Sequence, residues 1–354
     1  MIRSILMLAA LHLTASAAHG QYVRAWGADS YGQTTIPTDL GTVIDVSHGG
    51  SHLLAITTGG QVRAWGRDAS GQATVPPTLG IVIAVAAGGQ HSLALRTDGS
   101  VAAWGSNTYG QATVPIDLGG CILVAAGDWH SLAVAAAGSV RAWGRNTYGQ
   151  CSVPAGMAAA VAVSAGLTNS VVALADGTAR AWGRNDFGQS TPPEGLSGVV
   201  SVAAGGLHSL ALRSDGTIAA WGRNNYGQLT VPADLGPCQA VSAGRDHSMA
   251  LRTDGRVRCW GTSNFYGQVT VPAGIAGVTR ISSGTDGNAV IAVLPAPVCW
   301  GDLDASRDVN GVDLGRLLAA WGRMDGPPED LDGDSLVDGR DLGLMLATWG
   351  PCLN

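Results

Sequence analysis

Two matching stretches, DLDASRDVNGVDLGRLLAAWG from Asp302 and DLDGDSLVDGRDLGLMLATWG from Asp330, start 28 residues apart and carry the residues best suited to chemistry in this chain of 354. The second spaces Asp330, Asp332, Asp334, Asp338 and Asp341 along one short loop. Hard anionic oxygens at that spacing can converge on a point, and the ion they suit is calcium. Packed carboxylates repel one another until a cation neutralises them, so for so small a segment metal binding is also folding energy. The first stretch keeps Asp302, Asp304, Asp308, Asn310 and Asp313 but has Ser306 and Arg307 where its copy has Asp334 and Ser335, which predicts a weaker site.

Each loop is followed by apolar residues at helical spacing: Leu314, Leu317, Leu318 and Trp321, then Leu342, Met345, Leu346 and Trp349. They predict two helices packed on each other, a small all-α domain over residues 299–354. The loop-helix copies resemble the F-hand of type I dockerin domains. That resemblance implies calcium ligands from Asp330, Asp332, Asp334, the Leu336 carbonyl, Asp338 and Asp341, and a second set from Asp302, Asp304, Ser306, Asp308, Asn310 and Asp313. The sixth loop position, where the chain turns sharply, calls for glycine. Here it is Arg307 or Ser335. The resemblance further implies a cohesin-like or cell-surface partner, read by Gly311-Val312 and Gly339-Arg340. Cys299 and Cys352 bracket the module and are expected to be bonded if the chain is exported.

Export is what the other end predicts. A short basic start at Arg3, an apolar run from Ile5 to Leu13 and the small-residue pattern Ala18-His19-Gly20 read as a secretory signal peptide ahead of Gln21. No other apolar stretch is long enough to span a bilayer. The net charge of −6 is uneven: residues 299–354 hold 11 of 26 acids and 4 of 20 basic residues, and the remainder is almost neutral. Without a basic stripe, nucleic-acid binding has no footprint. All 20 basic residues are arginines, so Schiff-base chemistry and a Walker lysine are excluded. The two glutamates, Glu194 and Glu329, fall in different domains and do not make a hydrolytic carboxylate pair. The expectation is no enzyme and no catalytic residues.

Everything between the leader and the acidic module is repetition. Trp-Gly recurs at Trp26, Trp65, Trp104, Trp143, Trp182, Trp221 and Trp260, always 39 residues apart. Drift-free spacing means one supersecondary unit repeated in space. In the copy HSLALRTDGSVAAWG, two runs of alternating apolar residues flank the turn signal Asp98-Gly99, and IVIAVAAG before them supplies a third strand. A sheet of three short strands cannot bury both faces alone, so the copies must stack, and identical small sheets close into an all-β seven-bladed β-propeller. The first copy starts at a Trp-Gly strand and the last ends on a His-type strand, Asn288 to Leu294. The two are expected to clasp in one blade, leaving no open edge. Pro295 to Val298 read as a stiff linker, against the alternative that Trp300-Gly301 forms an eighth Trp-Gly strand.

The motif HSLALRTDGSVAAWGSNTYGQ resembles the repeat of the regulator of chromosome condensation family over residues 22–294. The GQATVP ending, the shorter period and the last copy SGTDGNAVIAVL look closer to the β-lactamase inhibitory protein II group of that superfamily. The resemblance implies a propeller with one face carrying exposed aromatics from two loops. The loop before Gly-Gln offers Tyr31, Tyr109, Tyr148, Phe187, Tyr226 and Tyr266, with Ser70 the exception. The loop before the His offers Gln90, Trp129, Thr168, Leu207, Asp246 and Asp286. A ring of tyrosines suits protein recognition; the alternative is that each aromatic packs on its neighbour. Trp129 breaks the pattern and is the sharper candidate for a contact. His52, His91, His130, His208 and His247 share one phase, with Asn169 and Gly287 in the other copies, and are expected to make blade-internal hydrogen bonds. Cys259 stands in an alanine position as a small buried filler, and pairing among Cys121, Cys151 and Cys238 is open. The reading is a secreted, non-catalytic protein-binding propeller with a calcium-dependent tether. The alternative is a carbohydrate-binding accessory of a polysaccharide-degrading system.

Overall fold

The structure, a computed structural model, describes residues 21–285, 287–295, 303, 308–322, 336–347 and 350–351. The leader, Cys299, Trp300, Asp302, Asp304, Ser306, Asp330, Asp332, Asp334, Trp349 and Cys352 lie outside them, as does Asp286. Residues 21–294 form one compact unit, and the residues from Pro295 onward belong to another.

Seven three-stranded sheets make up the larger unit among the described residues. Blade 1 contains Val43–His48, His52–Thr57 and Val62–Gly66. Blades 2 to 6 repeat this order, starting from inner strands Val82–Ala87, Cys121–Ala126, Ala160–Ala165, Val199–Ala204 and Cys238–Ala243. Blade 7 joins Arg280–Ser283 and Ala289–Pro295 to the N-terminal strand Gln21–Gly27, which is the expected clasp. Its outer edge is fixed by Ala28 N–H donating to the Asn288 carbonyl at 2.9 Å. The ring closes, because the inner strand of blade 1 packs on those of both blade 2 and blade 7. All seven inner strands line one central cavity of about 190 Å³. Pro295, expected in the linker, ends the last strand of blade 7.

The hairpin at Asp98-Gly99 is a three-residue loop: Gly99 N–H donates to Arg96 O, Arg96 N–H donates to Ser100 O, and Gly99 sits at φ +81°. Each inner strand of blades 1 to 6 opens with a β-bulge that period-two alternation does not announce. The bulged residue turns away from the core, which is why Ile44, Ile83, Ile122 and Val200 are exposed.

The core lies between blades. One cluster, for example, joins Leu54, Ile56 and Val62 of blade 1 to Val82, Val85, Ala94 and Trp104 of blade 2, and each of the seven interfaces has such a cluster. Polar bonds cross the same interfaces. The His rings, expected to bond within their blades, reach the next blade: His52 Nε2 to Ser92 Oγ, His91 to Ser131, His130 to Ser170 and His208 to Ser248, at 2.9–3.0 Å. Each of those serines donates its one hydroxyl hydrogen to the carbonyl of the buried glutamine in the Gly-Gln pair, as Ser92 does to Gln72 at 2.8 Å. The serine therefore accepts from the ring, so the ring carries its proton on Nε2. Asn169 confirms the direction, since its Nδ2 donates to Ser209 Oγ at 3.3 Å. Every repeat tryptophan also donates Nε1–H to the same glutamine carbonyl, at 2.9–3.1 Å in all seven copies.

The closure is wired differently. At the interface between blades 7 and 1 both relay members are missing: the His position is Gly287 and the Ser position is Leu53. The space goes to His48, whose ring lies so close to Gly284 and Gly287 that neither glycine could carry a side chain. At the preceding interface Asn288 stands in the Ser phase, and Ser283 takes over as the partner of His247 Nε2 at 2.9 Å.

Among the described residues, the smaller unit contains two nine-residue helices, α1 (Gly311–Ala319) and α2 (Gly339–Ala347), and a short ladder pairing Asp308–Val309 with Gly350–Pro351. Asn310 caps α1, accepting from Val312 N–H while Asp313 accepts from Asn310 N–H. Its core is Val309, Leu317, Ala320, Val337 and Met345, with Leu314 and Leu342 at the margin. Leu318, Trp321 and Leu346, expected in the helix interface, are about half exposed instead. Nine residues offer one narrow apolar stripe; Leu318 and Leu346 fall off it, and Trp321 lies beyond the end of α1. Among the described residues no helix is long and apolar enough to cross a membrane.

Two tests follow from this packing. A Cβ on Gly127 would come within 2.5 Å of both Gly166 O and His130 Cε1, so Gly127→Ala should cost about 2–3 kcal/mol by denaturant unfolding, as overpacking does. Burial holds His48, His52, His130 and His208 at a pKa of about 3 and His91 and His247 at about 4. Their folded values lie below the unfolded value of about 6.5, so stability is constant above that pH and is lost as pH falls toward the folded values, each histidine contributing a slope of up to about 1.4 kcal/mol per pH unit. Asp45, raised by burial to about 6, acts in the opposite sense and offsets only one such slope. Chemical denaturation midpoints measured across this range should drop steeply on acidification, and flat midpoints between pH 7 and pH 4 would contradict the assignment.

Candidate recognition face

After each outer strand the chain enters a loop that ends in Gly-Gln. In the loop leaving blade 2, Asn107 Oδ1 accepts Ala112 N–H at 2.9 Å, Gly110 turns at φ +80°, and the buried Gln111 side chain accepts Tyr109 N–H at 2.8 Å. The same glutamine bond pins the loop in all seven copies, holding Tyr31, Ser70, Tyr148, Phe187, Tyr226 and Tyr266 in the other six. The backbone beneath each aromatic is thus tied to the glutamine that bridges to the next blade. Such side chains project from a fixed base and lose little entropy when a partner covers them.

Tyr31, Tyr109, Tyr148, Phe187 and Tyr266 are exposed, at 42–53 %, whereas Tyr226 is half-buried. Thr262 N–H and Oγ1 both donate to the Tyr226 carbonyl, which ties that loop to blade 6. The arginines after the Trp-Gly pairs cover one face of these rings. Arg67 stacks on Tyr31, Arg145 on Tyr109 and Arg184 on Tyr148, each with its guanidinium carbon 5.1 Å from the ring centroid. Arg223 lies between Phe187 and Tyr226 at 5.7 and 5.3 Å. Tyr31, Tyr109, Tyr148 and Phe187 thus pack one face on an arginine of the neighbouring blade and keep the remainder of the ring open to solvent.

From the second loop the structure brings Trp129 to this set. It is half-buried and meets Tyr109 edge-on, with ring centroids 5.5 Å apart and planes at 80°. Thr168 is buried and leaves the face, Gln90 accepts a bond from Ser70, and Asp246 lies beside Arg223 and Arg245 at 3.7 and 3.8 Å. Sequence reasoning missed Phe265, the most exposed aromatic among the described residues at 88 %. The signal was the one-residue insertion in TSNFYGQ, which lengthens this loop alone.

Cys121, Cys151, Cys238 and Cys259 are free. Burial pushes the Cys151 and Cys259 thiols up to about 12, which keeps them protonated and unreactive at neutral pH.

In the smaller unit, the described fragments of the two acidic loops share one geometry. Asp313 and Asp341 are fully buried and accept backbone N–H groups of their own loops, Asp313 from Leu303 and Asn310 at 2.7 and 2.9 Å, Asp341 from Asp338 at 2.7 Å. Asp338 Oδ1 in turn accepts Arg340 N–H at 2.7 Å.

Comparison with known proteins places this architecture. Among solved structures, the chain superimposes on Prp20p from Saccharomyces cerevisiae with a TM-score of 0.68 at 19 % identity, covering 82 % of this chain and 94 % of that one. Human WBSCR16 matches with a TM-score of 0.64 at 17 % identity over 79 % of this chain and 100 % of that one. The ectodomain of the Physcomitrella patens receptor kinase CR4 gives 0.57 at 23 % identity over 71 % and 69 %. No curated protein matches by sequence. The model of the regulator of chromosome condensation (RCC1) repeat matches residues 43–72, 82–111, 121–150, 160–189, 199–228 and 238–268. These six matches cover just over half of the residues and fall on the blades of a closed ring, so the chain belongs to the RCC1-repeat family.

Proposed function

We propose that this chain is an exported, non-catalytic binding protein that recognises a protein partner on its aromatic loop face, with the C-terminal unit serving as a calcium-dependent, dockerin-like tether. The observation that carries the reading is the Tyr109–Trp129–Arg145 cluster, an edge-on aromatic pair capped by a guanidinium on a loop held from below. Tyrosine, tryptophan and arginine are the residues that dominate protein interfaces. The fold relatives agree in kind: Prp20p was described with its binding properties to Gsp1p and histones, and also bound to Kap60. An arrangement of rings like that of the β-lactamase inhibitory protein II group is the finer version of the same reading. Export rests on the basic, apolar and small-residue order of residues 1–20.

For the tether, the donor set fits calcium. Asp313 and Asp341 are carboxylates anchored to the ends of their loops just inside α1 and α2, and Leu336 and Asp338 lie just before α2. With Asp330, Asp332 and Asp334 they would supply the second site, and Asp302, Asp304, Ser306, Asp308, Asn310 and Asp313 the first. The bound ion would neutralise the clustered acids and so hold the helices together. In the full chain, chelation should remove the helical far-ultraviolet signal while the blade signal persists, and Asp341→Asn should require a higher calcium concentration to restore it. A helical signal indifferent to chelator would remove the calcium tether from the proposal.

The face is tested with the whole chain as bait for extracellular proteins, with calcium and with chelator. Tyr109→Ala and Trp129→Ala should each weaken the captured interaction by about 30-fold or more, the range of a hot-spot truncation of ~2 kcal/mol, without changing the melting temperature of the propeller. A partner lost only on chelation belongs to the tether. Retention of glycans instead of proteins, abolished by the same two substitutions, would replace the protein partner with the carbohydrate alternative.

A further inference from the structure

Around the ring, the aromatic before one Gly-Gln pair and the residue after the next Trp-Gly pair form a couple. Four couples are ring plus guanidinium: Tyr31 with Arg67, Tyr109 with Arg145, Tyr148 with Arg184 and Phe187 with Arg223. In the couple between blades 1 and 2 both members are lost together, and Ser70 and Ser106 take the two places. Two small hydroxyl side chains where the neighbouring couples have a ring and a guanidinium leave a notch in the aromatic ring. Its floor is polar: Ser70 Oγ donates to Gln90 Oε1 at 3.3 Å, and Gln111 Nε2 donates to Ser106 Oγ at 3.4 Å.

The notch is flanked by the couples Tyr31–Arg67 and Tyr109–Arg145, and their arginines differ from the other two. Arg184 is ion-paired with Asp186 at 2.6 Å, and Arg223 has Asp246 at 3.7 Å. Arg67 and Arg145 have no ion pair among the described residues. Asp68, next to Arg67 in the chain, spends its carboxylate on Ala73 N–H, Thr74 N–H and Thr74 Oγ1. Two half-buried guanidiniums, each stacked on a tyrosine and without a countercharge, therefore stand on either side of a hydrogen-bonding floor. Arg145 Nε donates to Thr147 Oγ1 at 3.2 Å; stacking fixes each guanidinium plane and leaves its paired Nη groups for a carboxylate, which they can grip with two parallel bonds.

Resting on the protein-binding reading of this face, we infer that the partner enters the Ser70–Ser106 notch with an acidic segment, one carboxylate held by Arg67 and another by Arg145 while its flanking residues cover Tyr109 and Trp129. The class of partner is thus a protein with an Asp- or Glu-bearing segment on its surface. The lost couple is then a recognition feature: a ring at position 70 or an arginine at 106 would fill the space.

The test uses a random-peptide library displayed on phage and panned against the full chain, after which selected peptides are synthesised and titrated against it. Expected are peptides carrying Asp or Glu whose affinity falls at least about tenfold in the Arg67→Gln/Arg145→Gln double variant, the loss expected for a charge-assisted hydrogen bond. Affinity should also fall with added salt and stay unchanged in Arg258→Gln, where the arginine pairs with Asp234 and touches none of the loop aromatics named above. Acid-free peptides that bind as tightly, or equal affinity in the double variant, would overturn the inference. If Tyr109→Ala abolishes binding while the double variant does not, only the acidic notch fails. If neither has an effect, or if no peptide is recovered, the loop-face reading fails with it.

Discussion

The propeller depends on one carbonyl per blade. The backbone oxygen of the glutamine in each Gly-Gln pair receives the tryptophan Nε1–H of the next blade and, in five copies, a serine hydroxyl that itself receives the histidine or its asparagine stand-in. A three-stranded sheet with Ala-rich strands has little apolar surface with which to fix its angle to a neighbour. Directional bonds across each interface supply that angle, and a buried group deprived of its partner costs about 1–3 kcal/mol. The same glutamine turns its side chain outward to hold the loop N–H beneath the aromatic. Ring assembly and presentation of the recognition face are thus two uses of one residue.

The exceptions are as informative as the repeat. At the interface between blades 7 and 1, the histidine and its serine partner have both gone, and His48 fills the space from the opposite side of the seam. Over the notch, the ring and its arginine have both gone. In each case the loss is paired across an interface, as expected of two residues that contact each other. A lone substitution in such a couple would leave a hole or an unpaired polar group.

Much of the fold was legible in the chain. The 39-residue phase of Trp-Gly counts the blades, and the order of strand types at the two ends predicts the clasp, because both are properties of one repeat read along the sequence. What could not be read are relations between repeats. His91 and Ser131 are separated by 40 residues and Tyr109 and Arg145 by 36, and nothing in the period says which neighbour a side chain will face. The histidines were accordingly assigned to their own blades, and the arginines were not matched to rings. The inner-strand bulges escaped for a different reason: Ile44, Ile83 and Ile122 look like core residues, and only backbone pairing turns them outward. In the acidic unit, the helices and the anchored Asp313 and Asp341 follow from spacing. The exposure of Leu318 and Leu346 does not, since two short helices bury less than their apolar pattern offers.

The clasp sets an order on synthesis. Strand Gln21–Gly27 leaves the ribosome well before the edge it needs, Ala289–Pro295, which is made more than 260 residues later. Blades 1 to 6 can pair and stack as they emerge, but until the last strand arrives the growing arc has an uncovered flank at each end and a loose N-terminal strand. A nascent arc of this kind exposes apolar surface for the whole of its translation, which makes it a natural client for holding factors and gives premature termination a sticky product rather than a smaller ring.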